Sequence, residues 1–228
     1  MKKTVDKNRN EKQMKPIIII AALIFILSVS VFAWAMPRPD GPDAVSSATM
    51  PVNNTGQYQN EGSGKVLIIL FSGNEGNTRK VADAIATEIN AAIYEPGETL
   101  SMPEDIDKYE IIGFGSGIFR GKHHQLLLDF AEKLPDMSDK HAFIFSTNGA
   151  PASLSAGETK ENDYMINNHQ PLRRILTGKG MVISGEFSCP GLNKNSFLKI
   201  FGGLNKNRPN DGDLKNAAAF ARGLLSKT

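Results

Sequence analysis

Short apolar runs alternate with helically spaced apolar residues from residue 65 to the end of the chain. The first run, residues 66–71, is entirely apolar, which is typical of a central parallel strand covered on both faces. After a polar loop, Val81, Ile85 and Ile89 recur at intervals of four residues. This spacing predicts an amphipathic helix directly after the strand.

The same alternation continues through the rest of the chain. Four more strands are predicted, at residues 91–94, 110–114, 142–146 and 181–187. Three more helices are predicted, at residues 126–134, 172–176 and 214–225, and Asp211 or Asp213 is the expected N-cap of the last one. Residues 151–170 are polar with little pattern and predict a long loop. Five strands that alternate with helices indicate an α/β fold with a doubly wound parallel sheet.

The first 64 residues have a different character. Residues 1–15 are basic, and residues 16–35 contain no charge over 20 positions. An apolar stretch of this length spans a hydrocarbon core of about 30 Å, and Trp34 lies where interfacial aromatic residues are common. The basic flank predicts a single-pass membrane anchor with its N-terminus in the cytoplasm and all later residues outside.

A cleaved signal peptide is the alternative to this anchor. Ala33-Trp34-Ala35 has the A-x-A form of a cleavage site, so cleavage at Ala35 would release a secreted protein. Both interpretations export the remaining chain. Residues 36–64 are rich in Pro, Gly, Ser and Asn, which predicts a flexible tether before a folded domain at residues 65–228.

Composition excludes several classes of function. The net charge of +2 is small and the lysines are scattered, so no nucleic-acid partner is expected. The single cysteine, Cys189, excludes an intramolecular disulfide and a Cys-held iron–sulfur cluster. The four histidines lack the i, i+4 spacing of a helical metal pair, so no metal site is predicted.

The loop at residues 72–78 is the first candidate for chemistry. It is polar and Gly-rich, and it joins a buried strand to a helix. Unpaired backbone N–H groups and the helix dipole converge at such a helix start and favour an anion, and Thr78 adds a hydroxyl. An ordinary tight turn between strand and helix is the alternative.

Residues 65–228 resemble a flavodoxin-family domain. The run Tyr109-Glu-Ile-Ile-Gly-Phe-Gly-Ser-Gly-Ile118 is typical of the family's third strand and second loop, and residues 185–191 and 203–214 resemble a bacterial subgroup of short flavodoxin-like proteins. The resemblance implies a five-stranded sheet of order 2-1-3-4-5 and FMN as cofactor. Residues 72–78 would hold the phosphate, and residues 116–122 and 147–150 would line the isoalloxazine ring.

The resemblance assigns no catalytic residue. It assigns FMN binding to Ser72, Gly73, Asn74, Glu75, Gly76, Asn77, Thr78, Ser116, Gly117, Ile118, Phe119, Arg120, Thr147, Asn148 and Gly149. Glu75 departs from the family, which places a small hydroxyl residue there, and a carboxylate facing the phosphate would weaken binding. The third loop lacks an aromatic residue, so Phe119 is the candidate for stacking. Arg120, Lys122 or His123 could oppose the negative charge of reduced flavin.

A second flavin signal lies in the tether. Asp43-Ala-Val-Ser-Ser-Ala-Thr49 resembles the acceptor sequence of exported flavin transferases, Asp-x-x-Ser/Thr-Ser/Gly-Ala-Thr. Those enzymes join FMN through its phosphate to the final threonine. The resemblance therefore implies covalent FMN on Thr49.

Together these features predict a membrane-anchored, extracytoplasmic FMN protein that carries electrons between redox partner proteins or the quinone pool. One alternative is an FMN-dependent oxidoreductase, because the Ser-x-x-acidic-Gly-x-Thr loop also resembles the flavodoxin-type protoporphyrinogen oxidase, and related folds include quinone reductases. Another alternative is a non-redox exported module that has lost the cofactor, which the presence of Glu75 favours.

Overall fold

The computed structural model describes residues 57–60, 64–73, 76–149, 158–194 and 196–226. The predicted membrane span and Thr49 lie outside these ranges. Among the described residues, no helix is both long enough and apolar enough to cross a bilayer.

The described chain forms seven strands and four helices. The strands are β1 (Gln57–Asn60), β2 (Val66–Phe71), β3 (Ala92–Glu95), β4 (Ile111–Phe119), β5 (Lys122–His123), β6 (His141–Asn148) and β7 (Val182–Pro190). The helices are α1 (Asn77–Ile89), α2 (Gln125–Glu132), α3 (Glu158–Gly178) and α4 (Asp211–Leu225). All five predicted strands are present, and the α/β class is confirmed.

The strands form one sheet in the order β1-β3-β2-β4-β6-β7, and β5 pairs with β4 alone. The parallel strands β3-β2-β4-β6-β7 correspond to the order 2-1-3-4-5 of the five predicted strands. The prediction of a five-stranded sheet is wrong, however, because β1 and β5 add antiparallel pairs. β1 lies in a polar segment assigned to the tether, and β5 has only two residues, so neither has an apolar pattern.

The sheet separates two apolar layers. Leu67, Ile69 and Phe71 of β2 face the layer that contains α2 and α3, and Ile68 and Leu70 face the layer of α1 and α4. All six β2 residues are buried. Burial on both faces explains why this strand is apolar at every position.

Two glycines of β4 make room for aromatic residues of β6. Gly113 pairs with Phe143 and Gly115 with Phe145 in the parallel register. A Cβ atom at either glycine would lie 2.2 Å or 2.0 Å from the respective phenyl ring. The two phenylalanines are fully buried, so the core of the α1–α4 layer depends on these two positions having no side chain.

The prediction of a loop at residues 151–170 is wrong for the second half of this segment. α3 begins at Glu158 and runs 21 residues, with Pro171 in its interior. Its buried face carries Asn168 and His169 before Leu172 and Leu176. Two buried polar residues interrupt the apolar spacing, and proline ordinarily ends a helix, so the sequence pattern predicted only residues 172–176 of α3.

The start of α4 also differs from the prediction in its capping residue. The N-cap is Asn210, whose side chain accepts a hydrogen bond of 3.1 Å from Asp213 N. Asp213 completes a capping box by accepting from Asn210 N at 2.8 Å. Asp213 therefore acts at the third helical position, and Asp211 lies in the first turn.

Candidate functional site

The carboxyl ends of β2, β4 and β6 meet at one edge of the sheet. The chain leaves β2 toward β3 on one side and then crosses to β4 on the other, so the strand order switches between β2 and β4. Ligands of doubly wound sheets bind outside the carboxyl ends at such a switch. The three predicted FMN loops all begin at this edge.

The first loop leads into the N-terminus of α1. Ser72 Oγ accepts a hydrogen bond of 3.0 Å from Arg79 N, and Gly76 N donates to Gly73 O at 3.1 Å. Gly76 is the N-cap with φ of 68°, and no side-chain hydrogen bond caps the helix there. Ser72 Oγ occupies the N–H group of Arg79, and since the N-cap glycine has no side chain, the N–H groups before Arg79 are left for an anion. Asn74 and Glu75 lie outside the described residues, so their roles stay predictions.

The second predicted loop is a hairpin. Ser116, Gly117, Ile118 and Phe119 belong to β4, and only Arg120 and Gly121 form the turn before β5. Both turn residues have positive φ, 49° and 79°, as in the two-residue turns that join twisted antiparallel strands. Arg120 is exposed at the tip.

Phe119 packs against a neighbour within this hairpin region. Its ring lies edge to face with His124 at 5.2 Å, and His124 stacks on Phe71 at 6.4 Å. Phe119 is half-buried, which leaves part of its ring accessible. The aromatic cluster Phe71, His124 and Phe119 thus bridges the ends of β2 and β4.

The third loop is tied to the first one. Thr147 Oγ1 lies 2.8 Å from Thr78 Oγ1, and both side chains are buried. This hydrogen bond joins the end of β6 to the first turn of α1. Asn148 ends β6 and Gly149 follows it, whereas Ala150 lies outside the described residues.

The sequence did not point to the segment after β7, which completes the edge. Gly191 N donates to Asn148 O at 2.7 Å, and Asn193 Nδ2 donates to Gly149 O at 3.1 Å. Asn77 Nδ2 donates to Leu192 O at 2.7 Å. Residues 191–193 therefore connect the first and third loops. The one available signal was their position directly after the fifth strand.

Buried polar atoms without partners test whether this edge fits FMN. Among the described residues, Asn77 Oδ1, Asn148 Oδ1 and His123 Nε2 are buried and have no hydrogen-bond partner, as does Asn168 Nδ2 on α3. Buried polar atoms are nearly always satisfied in folded proteins, so unpaired ones indicate a missing partner. FMN carries hydroxyl and N–H donors as well as carbonyl acceptors. The residues present at the edge fit this ligand.

A buried hydrogen-bond network lies next to the hairpin, and the sequence did not predict it. His169 of α3 is fully buried, with Nε2 at 2.8 Å from Ser146 Oγ and Nδ1 at 2.9 Å from Glu186 Oε2. Arg173 donates to both carboxylate oxygens of Glu186, at 2.5 Å and 2.7 Å. The ring of His123 lies 4.8 Å from that of His169.

Burial and pairing decide the charges in this network. Burial, together with the neighbouring His169, holds the pKa of His123 well below its usual value. Burial also lowers the pKa of His169, although Glu186 opposes this effect. Burial raises the pKa of Glu186, but hydrogen bonds from His169 and Arg173 outweigh it and bring the pKa to about 2. Near neutral pH both rings are therefore neutral, and the expectation that His123 offers a positive charge to reduced flavin is not supported.

Comparison with known proteins places this edge in context. A family model of the flavodoxin domain matches residues 68–193. An uncharacterised protein of Methanocaldococcus jannaschii is 43% identical over 161 residues, which cover 71% of this chain and 98% of the relative. Flavodoxin 2 of Bacillus cereus matches 72% of this chain and 100% of its own at 16% identity and a TM-score of 0.49. A short-chain flavodoxin associated with a PDU bacterial microcompartment matches 71% and 95% at 16% identity and a TM-score of 0.48.

Proposed function

The chain belongs to the flavodoxin family, and on that premise we propose that it carries electrons through an FMN held at the carboxyl edge of its sheet. Family membership implies FMN as the cofactor. When bound, FMN supplies the redox chemistry, because its ring accepts and releases electrons. The protein's own residues bind it, orient it and keep water away.

The observation that carries the proposal is the combination of an open helix start and unpaired buried atoms at one edge. The N-terminus of α1 offers backbone N–H groups to the phosphate. Asn77 Oδ1 and Asn148 Oδ1 are acceptors that would receive flavin hydroxyl or N–H groups. Phe119 would pack on the ring from the hairpin. The Thr78–Thr147 hydrogen bond fixes the spacing between the phosphate loop and the end of β6.

Titration of FMN-free protein with FMN and with riboflavin tests this assignment. We expect FMN to bind at least about tenfold more tightly, because charge-assisted hydrogen bonds to the phosphate each contribute about 1.5–3 kcal/mol. Equal affinities would place the phosphate away from α1. No binding of either flavin would contradict the proposal and support the non-redox alternative.

Two threonines on α1, one buried and one exposed, test whether FMN binding depends on Thr78. Thr78→Val removes the hydrogen bond to Thr147 and should weaken FMN binding about fivefold, equivalent to about 1 kcal/mol. Thr87→Val makes the same change at an exposed position of the same helix and should leave affinity unchanged. An equal effect of both variants would contradict the role of Thr78. Turnover of quinones or protoporphyrinogen by FMN-loaded protein would instead identify an FMN-dependent oxidoreductase.

For the whole chain we propose a membrane-anchored carrier whose domain is extracytoplasmic. The support is the uncharged stretch at residues 16–35 with its basic flank. The acceptor-like sequence that ends at Thr49 supports a second, covalently attached FMN on the tether, added by an exported flavin transferase. Redox partner proteins or the quinone pool would then exchange electrons with the two flavins.

A further inference from the structure

His169 lies in the middle of a chain of hydrogen bonds that the binding of FMN does not require. The chain runs from Glu186 through His169 to Ser146, and Ser146 Oγ lies 2.9 Å from Ser188 Oγ. Ser146 and Ser188 are register partners on β6 and β7. Ser146 and His169 are fully buried, whereas Ser188 is half-buried. The chain therefore connects a buried ring to a residue with partial access to solvent.

This chain of hydrogen bonds accommodates both the neutral and the cationic form of the His169 ring. The Glu186 carboxylate only accepts, so Nδ1 of His169 carries a hydrogen in both states. If the ring is neutral, Nε2 accepts from Ser146, and Ser146 accepts from Ser188. If the ring is cationic, Nε2 donates to Ser146, and Ser146 donates to Ser188. Only hydroxyl hydrogens need to turn between the two states.

The adjacent His123 cannot take up the proton as readily. Ser116 Oγ donates to Gly117 O at 3.0 Å and lies 2.9 Å from His123 Nδ1. In a cationic His123 ring both nitrogens carry hydrogen, so Nδ1 would donate to Ser116 Oγ and Nε2 would carry a second N–H. That Nε2 atom has no partner among the described residues, so a cationic His123 would bury an unpaired N–H beside His169. His169, by contrast, has an acceptor at each ring nitrogen.

The charges around His169 allow one added proton. The charged or titratable groups that face its ring among the described residues are Glu186 from β7, Arg173 from α3 itself and His123 from β5. β6 contributes Ser146, which does not titrate, and α2 shares with α3 the apolar cluster that contains Leu127 and Leu172. The negative charge of Glu186 balances the positive charge of Arg173. Protonation of His169 therefore gives these groups together a net charge of +1.

We propose that His169 is the site where the protein binds a proton to compensate the charge of an electron received at the carboxyl edge. This inference rests on the proposed function. Ser146 lies two residues before Asn148, the last residue of β6, so the added positive charge would lie close to that edge. One electron comes from a one-electron donor protein, and one proton from solvent forms the Nε2–H bond. Both leave when the protein is oxidised again, and no other bond changes.

The first test uses FMN-free protein and therefore does not depend on cofactor binding. ¹⁵N NMR of the imidazole rings should show neutral His169 as the Nδ1–H tautomer near pH 8. On acidification it should become cationic while the protein stays folded. The Nε2–H tautomer, or global unfolding before His169 takes up a proton, would overturn the proposal. The proposed function is tested separately, by whether FMN binds when it is titrated into the FMN-free protein.

The second test measures the FMN reduction potential against pH. In the wild-type protein the potential should fall with rising pH and change slope where NMR places the titration of His169. His169→Gln should remove that change of slope. Ser146→Ala should move it to lower pH, because the cationic ring loses the acceptor of its Nε2–H.

His141→Gln is the matched control. His141 Nδ1 lies 2.9 Å from Ser184 Oγ, so this variant removes a histidine–serine contact between β6 and β7, at the opposite end of β6 from Ser146. It should keep the wild-type slope. An unchanged slope in both His169→Gln and Ser146→Ala, with FMN still bound, would overturn the proposal. If His169→Gln does not fold, the Ser146→Ala shift decides alone.

Discussion

Gly113 and Gly115 of β4 are the single residues on which packing of the α1–α4 layer depends most directly. Each stands beside a fully buried phenylalanine of β6 and leaves no room for a side chain. The ring edges would lie well inside van der Waals distance of any Cβ atom there. The adjacent strand β6 can therefore carry two large rings only because β4 carries no side chain at these positions.

Gly113→Ala should lower the free energy of unfolding by about 1–3 kcal/mol, because overpacking forces the Phe143 ring or the strand to move. Urea unfolding followed by circular dichroism measures the change. Gly178→Ala is the control, since no atom beyond its chain neighbours and the nearby backbone of its own helix lies within 4 Å of its added Cβ, and it should not destabilise. Adding Phe143→Leu to Gly113→Ala should recover part of the loss, and failure to recover any would contradict this explanation.

Acid should destabilise the domain in two steps. Burial keeps the pKa of His123 and His169 below that of the unfolded chain, about 6.5. The unfolded state therefore binds more protons, and stability falls as the pH drops below about 6.5. Glu186 has a pKa of about 2 in the folded protein. Its contribution to the free energy of unfolding is therefore complete above about pH 4.5 and is lost as the pH falls toward 2.

Urea midpoints measured from pH 8 down to pH 3 should show both steps. His169→Gln should reduce the first step, and Glu186→Gln should reduce the second. A stability that does not change between pH 8 and pH 5 would contradict the buried, neutral state of the two rings.

At the level of elements, the sequence predicted those whose inner face is apolar throughout. β2 is apolar at every position, and α1 repeats Val81, Ile85 and Ile89, so the central unit was predicted from its periodicity. α3 was largely missed because Asn168 and His169 occupy its buried face. The β4–β5 hairpin was missed because its turn is Arg120-Gly121, without the Asn-Gly or Asp-Gly signal. Polar residues with long-range partners carry no local pattern, so they could not be predicted.

Pro171 gives an element-level prediction for α3. Inside a helix, proline lacks the N–H that would bond the carbonyl one turn earlier, and its ring crowds that carbonyl. Pro171→Ala should therefore raise the thermal midpoint, by an amount equivalent to about 1–3 kcal/mol. Differential scanning calorimetry measures the shift. Ala218→Pro in α4 is the reverse change and should lower the midpoint. An unchanged midpoint for Pro171→Ala would contradict the cost assigned to this proline.

At the level of the whole molecule, residues 57–226 have the organisation of an independent domain. The Methanocaldococcus relative matches 161 residues of this chain over 98% of its own length, so nearly all of that relative corresponds to part of this chain. The predicted anchor and Thr49 precede residue 57 in the sequence. Their roles were predicted from the sequence and stay predictions, because they lie outside the described residues.

Intact-mass analysis of protein from its native membrane tests the predicted anchor and Thr49 together. We expect the mass of the uncleaved chain plus one FMN joined through its phosphate, and we expect this flavin to remain after denaturation. Thr49→Ala should abolish the fluorescence of the band on a denaturing gel. Fluorescence that persists in the variant would contradict the assignment to Thr49, and a mass that begins after Ala35 would establish the secreted alternative.

β1 has a consequence for how copies of this protein tolerate crowding. It covers the edge of β3, where Tyr58 packs on Tyr94 at 5.1 Å and its hydroxyl donates to Asp105. An uncovered edge strand exposes a row of backbone groups on which another molecule can align and start an aggregate. β1 is short, polar and irregular in register between Tyr58 and Asn60, and such strands resist further pairing. If many domains are confined to one membrane, this four-residue strand would keep them from associating through the edge of β3.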